Sequence, residues 1–291
     1  MTAEDTSREA QERRQEALEH FPFRLFETTG KNALAKWREL KSSGEGAPVI
    51  LGGSEDLHSI VDPITSFAID ATDPPSPQPV REILAAASGI RFPDDLAKHK
   101  KAEQKAALEQ LKAGLAANPD MPVPQINKIE NGKTRTYSRE ETIALMESDP
   151  HEPALGEWPV SPIPSLGLSI ARDLLSKKPL PRVYIALVPT DDWTSIPAYL
   201  RWGGWNDCPA PEYHIAALRR WRDLYGAELV GMSADTINVR VARRPGTREE
   251  ALALAREQYI YCEDIVDQGI GTYSALAADL MANDWWYFWW D

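Results

Sequence analysis

The first sixty residues alternate between strand-like apolar runs and helical spacing. Residues 23–28 and 48–51 are short runs of the kind that form strands. An amphipathic helix is predicted over residues 31–41, because its apolar side chains recur at intervals of three and four: Ala33, Leu34, Trp37 and Leu40. A polar helix or tail over residues 4–19 precedes these elements, and a further helix is predicted to begin at Glu55. The pattern therefore predicts a β-α-β-α opening.

The middle of the chain is more polar and is interrupted by turn signals. A proline-rich breaker spans residues 73–79, and helices are predicted behind it over 80–87 and 94–117. The dipeptide Asn131-Gly132 separates two short runs and predicts a β-hairpin. Ser138-Arg139-Glu140-Glu141 has the spacing of a capping box that opens a short helix. These features predict a helical insertion at about residues 70–150, followed by a proline-rich connector.

The C-terminal part has the most regular pattern. Residues 182–188 form a strand that is apolar on both faces, so both faces are expected to be covered. A long loop is predicted to follow it, over residues 189–210. The remaining predicted elements are a helix over 168–176, a helix over 211–226, a hairpin of 228–233 with 236–242, helices over 247–262 and 272–281, and an aromatic strand over 285–290. From the strand at residues 182–188 onwards, the predicted element order is β-α-β-β-α-(α)-β.

These elements predict an α+β protein. The C-terminal module has the element order of a ferredoxin-like split βαβ sandwich, and we expect it to pack against an N-terminal α/β region. The predicted divisions are a polar helix or tail over 1–19, an N-terminal region over 20–165 that contains the insertion, and the C-terminal module over 166–291.

Composition narrows the class of protein. The chain has 291 residues, 32 Lys and Arg against 44 Asp and Glu, and a formal charge of −12. Its basic residues are dispersed among acids rather than gathered in a stripe, so we expect no nucleic-acid partner. No run approaches the ~18 apolar residues of a membrane span, and the polar N-terminus lacks the apolar centre of a secretory signal. Only two cysteines occur, Cys208 and Cys262. We therefore expect a soluble cytoplasmic protein with no membrane partner.

Several ordered runs in the last third of the chain resemble a family of bacterial proteins known only as domain of unknown function 4253 (DUF4253). The runs are Pro197-Ala198-Tyr199-Leu200, Gly203-Gly204-Trp205-Asn206-Asp207-Cys208-Pro209, Tyr225-Gly226-Ala227-Glu228-Leu229, Glu249-Glu250-Ala251-Leu252-Ala253-Leu254-Ala255, Asp264-Ile265-Val266-Asp267-Gln268-Gly269 and Trp286-Tyr287-Phe288-Trp289-Trp290-Asp291. Residues 30–52 also resemble the N-terminal part of longer members. The resemblance implies no activity, cofactor or site residue, because none is established for the family.

The segment from Arg201 to Pro209 carries most of the candidate binding residues. It belongs to a predicted connection far longer than the ~2–6 residues of ordinary connections between strands and helices. Two tryptophans could stack on a planar ligand or a peptide side chain, an arginine could hold an anionic group, and polar side chains could read hydrogen bonds: Arg201, Trp202, Trp205, Asn206 and Asp207. In the alternative interpretation the tryptophans, with Trp193, plug the end of the sheet, and Asp207 caps the helix that begins at Pro211.

Cys208 and His214 give a candidate catalytic pair. A cysteine nucleophile needs a lowered pKa, and Cys208 lies just before a predicted helix start, where the helix dipole favours a thiolate. Asp207 or Asp264 could then orient the imidazole. Against this, His214 shares a helical stripe with Leu218, Trp221 and Tyr225, which is typical of a packed side chain. Cys262 lies on the apolar side of its own helix and is expected to be buried.

Carboxylates after the helix that ends near Cys262 form the last candidate group. Glu263, Asp264 and Asp267 could cluster with Asp207 as acid and base groups or as cation ligands, whereas the alternative is local capping and a turn at Asp267-Gln268-Gly269. We count Asp267 among the candidate binding residues. The spacing fits no calcium-loop or zinc pattern, and no phosphate loop or hydrolase elbow occurs. We therefore predict no metal and no cofactor.

The leading hypothesis is a non-catalytic binding or interaction protein that uses the aromatic segment 199–209. Its partner would be a protein or a small molecule, and the acidic charge suits a basic partner, as in immunity-type proteins. The alternative is a small-molecule enzyme with Cys208 as nucleophile and His214 as base. The oligomeric state stays open.

Overall fold

The computed structural model describes residues 3–60, 79–118, 120–123, 127–130, 133–147, 152–161 and 164–290. It divides into two units, one formed by residues 1–93 and 154–291 and the other by residues 94–153. Three sequence features lie outside the described residues: most of the proline-rich breaker (73–78), the Asn131-Gly132 turn and Asp291. The predicted division of the chain at residue 165 stays a prediction.

The larger unit contains helices on a mixed sheet. Its elements are α1 (Ala3–His20), β1 (Arg24–Thr28), α2 (Ala33–Ser43), β2 (Ala47–Gly52), α3 (54–60), α4 (Val80–Gly89), β5 (Val183–Val188), α7 (Ile196–Leu200), α8 (Pro211–Tyr225), β6 (Glu228–Met232), β7 (Thr236–Arg240), α9 (Arg248–Tyr261), a π-helix (Ile265–Ile270), α10 (Tyr273–Ala282) and β8 (Trp285–Trp289). The α+β prediction and the element order of the C-terminal module are confirmed.

The order of the strands in the sheet is β1-β5-β2-β6-β7-β8. Only β2 and β6 pair in parallel, and the other neighbours are antiparallel. The arrangement differs from a ferredoxin-like sandwich, because β2 from the N-terminal region lies between β5 and β6. The N-terminal region therefore extends the same sheet instead of only packing on it.

Two apolar layers cover the faces of the sheet. On one face, Trp37 and Leu40 of α2 pack with Ile170 and Ile185, and the Trp37 indole donates to the main-chain carbonyl of Pro48 at 2.8 Å. On the other face α8 and α9 contribute a cluster of aromatic rings. Trp221 stacks on Phe288 with 5.3 Å between ring centroids. These layers explain why β5 is buried at every position, as its apolar pattern predicts.

Three helix and loop predictions need correction. The helix predicted over 168–176 is only a 3-10 turn, Ser169–Ala171, because the buried Asn238 amide accepts hydrogen bonds from Ser169 and from the Ile170 N–H. The Leu180 N–H then pairs with the Ala171 carbonyl and turns the chain back. The long connection after β5 contains a 3-10 turn and the short helix α7, so its irregular parts are residues 189–192 and the loop 201–210. The turn predicted at 267–269 lies within the π-helix.

The second unit contains α5 (Asp94–Ala117), the hairpin of β3 (Asn127–Glu130) with β4 (Lys133–Thr136), and α6 (Arg139–Glu147). The predicted capping box is present at the start of α6. The Glu141 N–H donates to the Ser138 hydroxyl, and the Ser138 N–H donates to the Glu141 carboxylate. In the part of the chain that the structure describes, no helix combines the length and apolar character needed to cross a membrane.

Candidate functional site

The aromatic loop, residues 201–210, joins the end of α7 to the start of α8. Helix α7 ends because Arg201 adopts the left-handed conformation, with φ of 50°. Helix α8 begins at Pro211, whose missing N–H costs nothing in a first turn. Its N-cap residue is Ala210, which has no side-chain acceptor, and among the described residues no N–H of the first turn donates to the Asp207 carboxylate. Asp207 therefore does not cap this helix, contrary to the alternative interpretation of the sequence.

Trp202 anchors the base of the loop. Its side chain is only 3% exposed, and its indole N–H donates to the main-chain carbonyl of Ser233 at 2.7 Å. Its ring also meets Trp290 and His214 edge to face, at centroid distances of 5.4 and 4.9 Å. A buried tryptophan with a satisfied N–H is a rigid packing element, so Trp202 does not offer a stacking surface to a ligand.

Gly203 is required by the close approach of the loop to α8. Its φ is +110°, and a Cβ at this position would lie 2.1 Å from the Pro209 oxygen and 2.6 Å from His214 Nε2. No other residue type fits that space or adopts that conformation readily. The glycine therefore lets the chain fold back over the imidazole. Gly204 continues the turn, and its N–H donates to the Cys208 and Pro209 carbonyls.

The residues after Gly204 form the exposed part of the loop, which we call the loop tip, Trp205–Asp207. Trp205 is half-buried and packs edge to face on Trp202 at 4.7 Å, while Asn206 and Asp207 are exposed. Asn206 has a φ of 45°, a conformation that asparagine tolerates better than most residues. Among the described residues, neither the Asp207 carboxylate nor the half-buried Arg201 guanidinium has a hydrogen bond or ion pair. The tip therefore offers one indole and one uncompensated carboxylate.

Cys208 and His214 are brought together below the loop tip. The Cys208 sulfur lies 3.5 Å from His214 Nε2, and His214 Nδ1 lies 2.6 Å from the Tyr261 hydroxyl. Cys208 is 4% exposed and His214 is fully buried. A tyrosine thus occupies the orienting position for which Asp207 and Asp264 were predicted.

The protonation state of His214 follows from its neighbours. Burial lowers the pKa of the imidazole to about 3, and a hydrogen bond to the Pro209 carbonyl raises it only in part. A carbonyl can only accept, so the nitrogen that faces it carries the proton. Since Nδ1 faces Tyr261, we assign that proton to Nε2. A protonated Nε2 has no lone pair to take the thiol proton of Cys208, so the arrangement is that of a neutral packed imidazole.

Carboxylates of the predicted acidic cluster accept hydrogen bonds from residues near them in the sequence. Asp264 accepts from the Gln268 amide at 2.8 Å, and Asp267 accepts from the Tyr259 hydroxyl at 3.1 Å. Burial is the main cause of a Tyr259 pKa raised far above its usual value, and the Asp267 carboxylate adds to it. Within the described ranges, no three His, Cys, Asp or Glu side chains are placed to hold a metal ion. Both cysteines are buried thiols outside any disulfide of the described residues, and the Cys262 thiol donates to the Trp289 carbonyl.

Three partners of this region were not identified from the sequence. Ser233 lies in the tight turn of the β6–β7 hairpin, Tyr261 at the end of α9, and Trp290 after β8. Only their convergence on α8 and the loop creates the site, and no spacing rule links residues so far apart. The single available signal was the density of aromatic residues at 285–290.

Comparison with known proteins extends the description of this region. The family model described as "Domain of unknown function (DUF4253)" matches residues 184–291. That range contains the aromatic loop, Cys208, His214, Tyr261 and Trp290, and the match confirms the resemblance seen in the sequence. No curated protein and no solved structure matches the chain.

Proposed function

We propose that this chain is a non-catalytic binding protein, acting in the cytoplasm, that recognises a protein partner through the loop tip, Trp205–Asp207. One observation carries the proposal: the tip holds a half-buried indole and an exposed, uncompensated carboxylate on a base that is fixed by packing. Two buried cysteines that form no disulfide among the described residues fit a reducing compartment.

The rigidity of the base supports recognition. Main-chain hydrogen bonds hold both ends of the loop. The main-chain N–H of Trp202 donates to the Pro197 carbonyl, and the main-chain N–H of Cys208 donates to the Trp205 carbonyl. A binding loop that is already ordered loses little conformational entropy when a partner binds. Tryptophan is also enriched among the residues that dominate interface energies. Trp205 is therefore the expected anchor.

The charge of the molecule indicates the class of partner. The formal charge of −12 and the exposed Asp207 favour a basic protein, as for immunity-type proteins that neutralise basic toxins. Binding that depends on such complementarity weakens as salt screens the charges. We therefore expect a basic partner that is released by raised ionic strength.

The experiment is affinity capture from a lysate of the source organism at low salt. Four baits are compared: wild type, Trp205→Ala, Asp207→Asn and Trp158→Ala. Trp158 is a matched control because it is also half-buried but lies off the loop, with its ring 4.4 Å from the Arg248 guanidinium. We expect one basic protein that wild type and Trp158→Ala retain and that both tip variants lose. Equal retention by all four baits would refute the proposal.

A second function, a cysteine enzyme, is favoured by the short Cys208–His214–Tyr261 chain of contacts. Iodoacetamide labelling at pH 7 distinguishes the two functions. The Cys262→Ser variant reports the labelling of Cys208, and the Cys208→Ser variant reports the labelling of Cys262. A binding protein with a buried, unactivated thiol is expected to label Cys208 far more slowly than a free cysteine does. Labelling of Cys208 faster than free cysteine would favour the enzyme.

A further inference from the structure

Two adjacent leucines project from the surface between the 3-10 turn Ser169–Ala171 and β5. Leu174 is 61% exposed and Leu175 is 94% exposed, and every residue from 172 to 179 is exposed. We call residues 172–179 the leucine loop. Single exposed apolar side chains are ordinary on a folded protein, whereas two neighbours on one projecting loop form an apolar tip that marks an interaction surface. The leucine loop shares no residue with the recognition site proposed above.

Polar contacts hold the leucine loop in shape. The Asp173 N–H donates to the Lys178 carbonyl and the Lys177 N–H donates to the Asp173 carbonyl, both at 2.9 Å. The Asp173 carboxylate also accepts from the Ser176 N–H at 2.7 Å. Lys177 has a φ of 58°, in the left-handed region that favours glycine. The loop is therefore ordered without any burial of its two leucines, and it loses little conformational entropy when it binds.

Cations flank the two leucines. Arg172, Lys177 and Lys178 are exposed, and none of them forms an ion pair with an acid of the described residues. The Arg172 guanidinium donates instead to the Lys177 carbonyl at 3.2 Å. With these three cations and one acid, the leucine loop has a formal charge of +2 in a chain of −12. Its complement is therefore an anionic surface that also accepts apolar side chains.

The size of the leucine loop decides between the classes of anionic partner. A stable protein interface uses about 20–30 residues on each side, many more than this projecting turn supplies. A two-fold contact with a second copy would also place the cations of both loops against each other. A lipid surface needs no matching groove, because apolar side chains enter the boundary of the acyl chains while Lys and Arg stay among the headgroups. We propose that the leucine loop docks this protein reversibly on an anionic lipid surface.

This mode of membrane contact differs from the one that the sequence argued against. The expectation of no membrane partner was based on the lack of a spanning segment, and adsorption through a loop needs none. The acids elsewhere on the chain oppose approach to anionic lipid, but exposed charges beyond ~8 Å are largely screened at physiological ionic strength. The cations of the loop reach the headgroups directly, where each Lys or Arg adds to the attraction.

The experiment is co-sedimentation of the full-length chain with vesicles of phosphatidylcholine and phosphatidylglycerol in equal amounts. Vesicles of phosphatidylcholine alone are the neutral comparison. We expect binding to the mixed vesicles that is about tenfold or more stronger than binding to the neutral ones. Leu174→Ser combined with Leu175→Ser removes the apolar tip, and Lys177→Gln combined with Lys178→Gln removes two cations. Each double variant is expected to bind the mixed vesicles about tenfold more weakly.

Leu224→Ser is the matched control, because Leu224 is also an exposed leucine, at 40%, but lies on α8. It is expected to bind the mixed vesicles like wild type, and so is Trp205→Ala, which removes the indole of the loop tip. If the double leucine variant fails to fold, Leu175→Asp replaces it and should lose binding. Absence of binding to the mixed vesicles, or equal binding by the double leucine variant, would overturn the proposal. Wild-type dimers that the leucine variant lacks, without vesicle binding, would assign the loop to a second copy.

Discussion

The buried imidazole of His214 makes a quantitative prediction about stability in acid. The folded state holds the ring neutral with a pKa of about 3, whereas an unfolded histidine has a pKa near ~6.5. Below pH 6.5 the unfolded state takes up a proton that the folded state refuses. The group therefore contributes its full stabilisation above pH 6.5 and loses it progressively as the pH falls toward 3.

The size of the effect follows from the two pKa values. One pKa unit corresponds to ~1.36 kcal/mol, so lowering the pH from 8 to 5 should remove about 2 kcal/mol of stability through this one residue. Down to pH 3 the loss reaches ~4–5 kcal/mol. A typical domain has only ~5–15 kcal/mol in total, so the effect is large enough to measure.

The assay is urea unfolding at pH 5, 6, 7 and 8, for wild type and for His214→Gln. A glutamine amide can still donate to Pro209 and accept from Tyr261, but it does not titrate. The other titrating groups are common to both proteins and cancel in the difference. We expect the stability difference to shift by about 2 kcal/mol in favour of the variant between pH 8 and pH 5.

A constant difference between wild type and His214→Gln would contradict the reasoning. In that case His214 takes up its proton in the folded state as readily as in the unfolded one, and the catalytic alternative would gain support.

Three further predictions concern the glycines of the aromatic loop, the buried Asp279 carboxyl group and the buried Asn238 amide. In urea unfolding, Gly203→Ala should lower the free energy of unfolding by more than about 2 kcal/mol, because its Cβ would meet the Pro209 oxygen. Gly204→Ala has open space around it and should lower the free energy of unfolding by only about 1 kcal/mol. Equal losses in the two variants would contradict this expectation. Burial raises the pKa of Asp279 to about 6, so ionisation destabilises the fold, and Asp279→Asn should gain about 1–2 kcal/mol relative to wild type between pH 4 and pH 7; a pH-independent difference would rule this out. Asn238→Leu leaves the Ile170 N–H without its acceptor and should lower the free energy of unfolding by about 2–4 kcal/mol, measured by thermal unfolding. An unchanged melting temperature would show that the contact is dispensable.

Periodicity predicted the individual elements because their local pattern decides them. The apolar side chains of α2 and the all-apolar sequence of β5 determine what each must bury, and both elements form where the pattern places them. The capping box Thr247-Arg248-Glu249-Glu250 also opens α9 as expected, since the Thr247 hydroxyl accepts from the Glu250 N–H. These features depend on neighbours within a few residues.

Sheet order was beyond the reach of the sequence because it depends on long-range pairing. The strand β2 lies between β5 and β6, more than a hundred residues away along the chain. Its single parallel partner residue pair, Ile50 with Gly231, leaves no mark in either local pattern. Gly231 does have a packing reason, since a Cβ there would lie 2.0 Å from the Ile170 side chain.

The two tryptophans of the aromatic loop show the same limit at the site. Trp202 and Trp205 stand three residues apart in a polar, glycine-rich run, and the sequence could not assign them different roles. Their roles are separated by the Ser233 carbonyl, which lies within reach of the Trp202 indole only once the β6–β7 hairpin is formed. In the folded protein, Trp202 is therefore a buried anchor, whereas Trp205 belongs to the exposed loop tip.

Recognition through the loop tip is tested most directly by isothermal titration calorimetry with the captured basic protein. Wild type and Trp205→Ala are titrated at the same low salt concentration. We expect a loss of about thirtyfold or more in affinity on removal of the indole, the level expected of a residue that dominates an interface. An affinity for Trp205→Ala within twofold of wild type would contradict it.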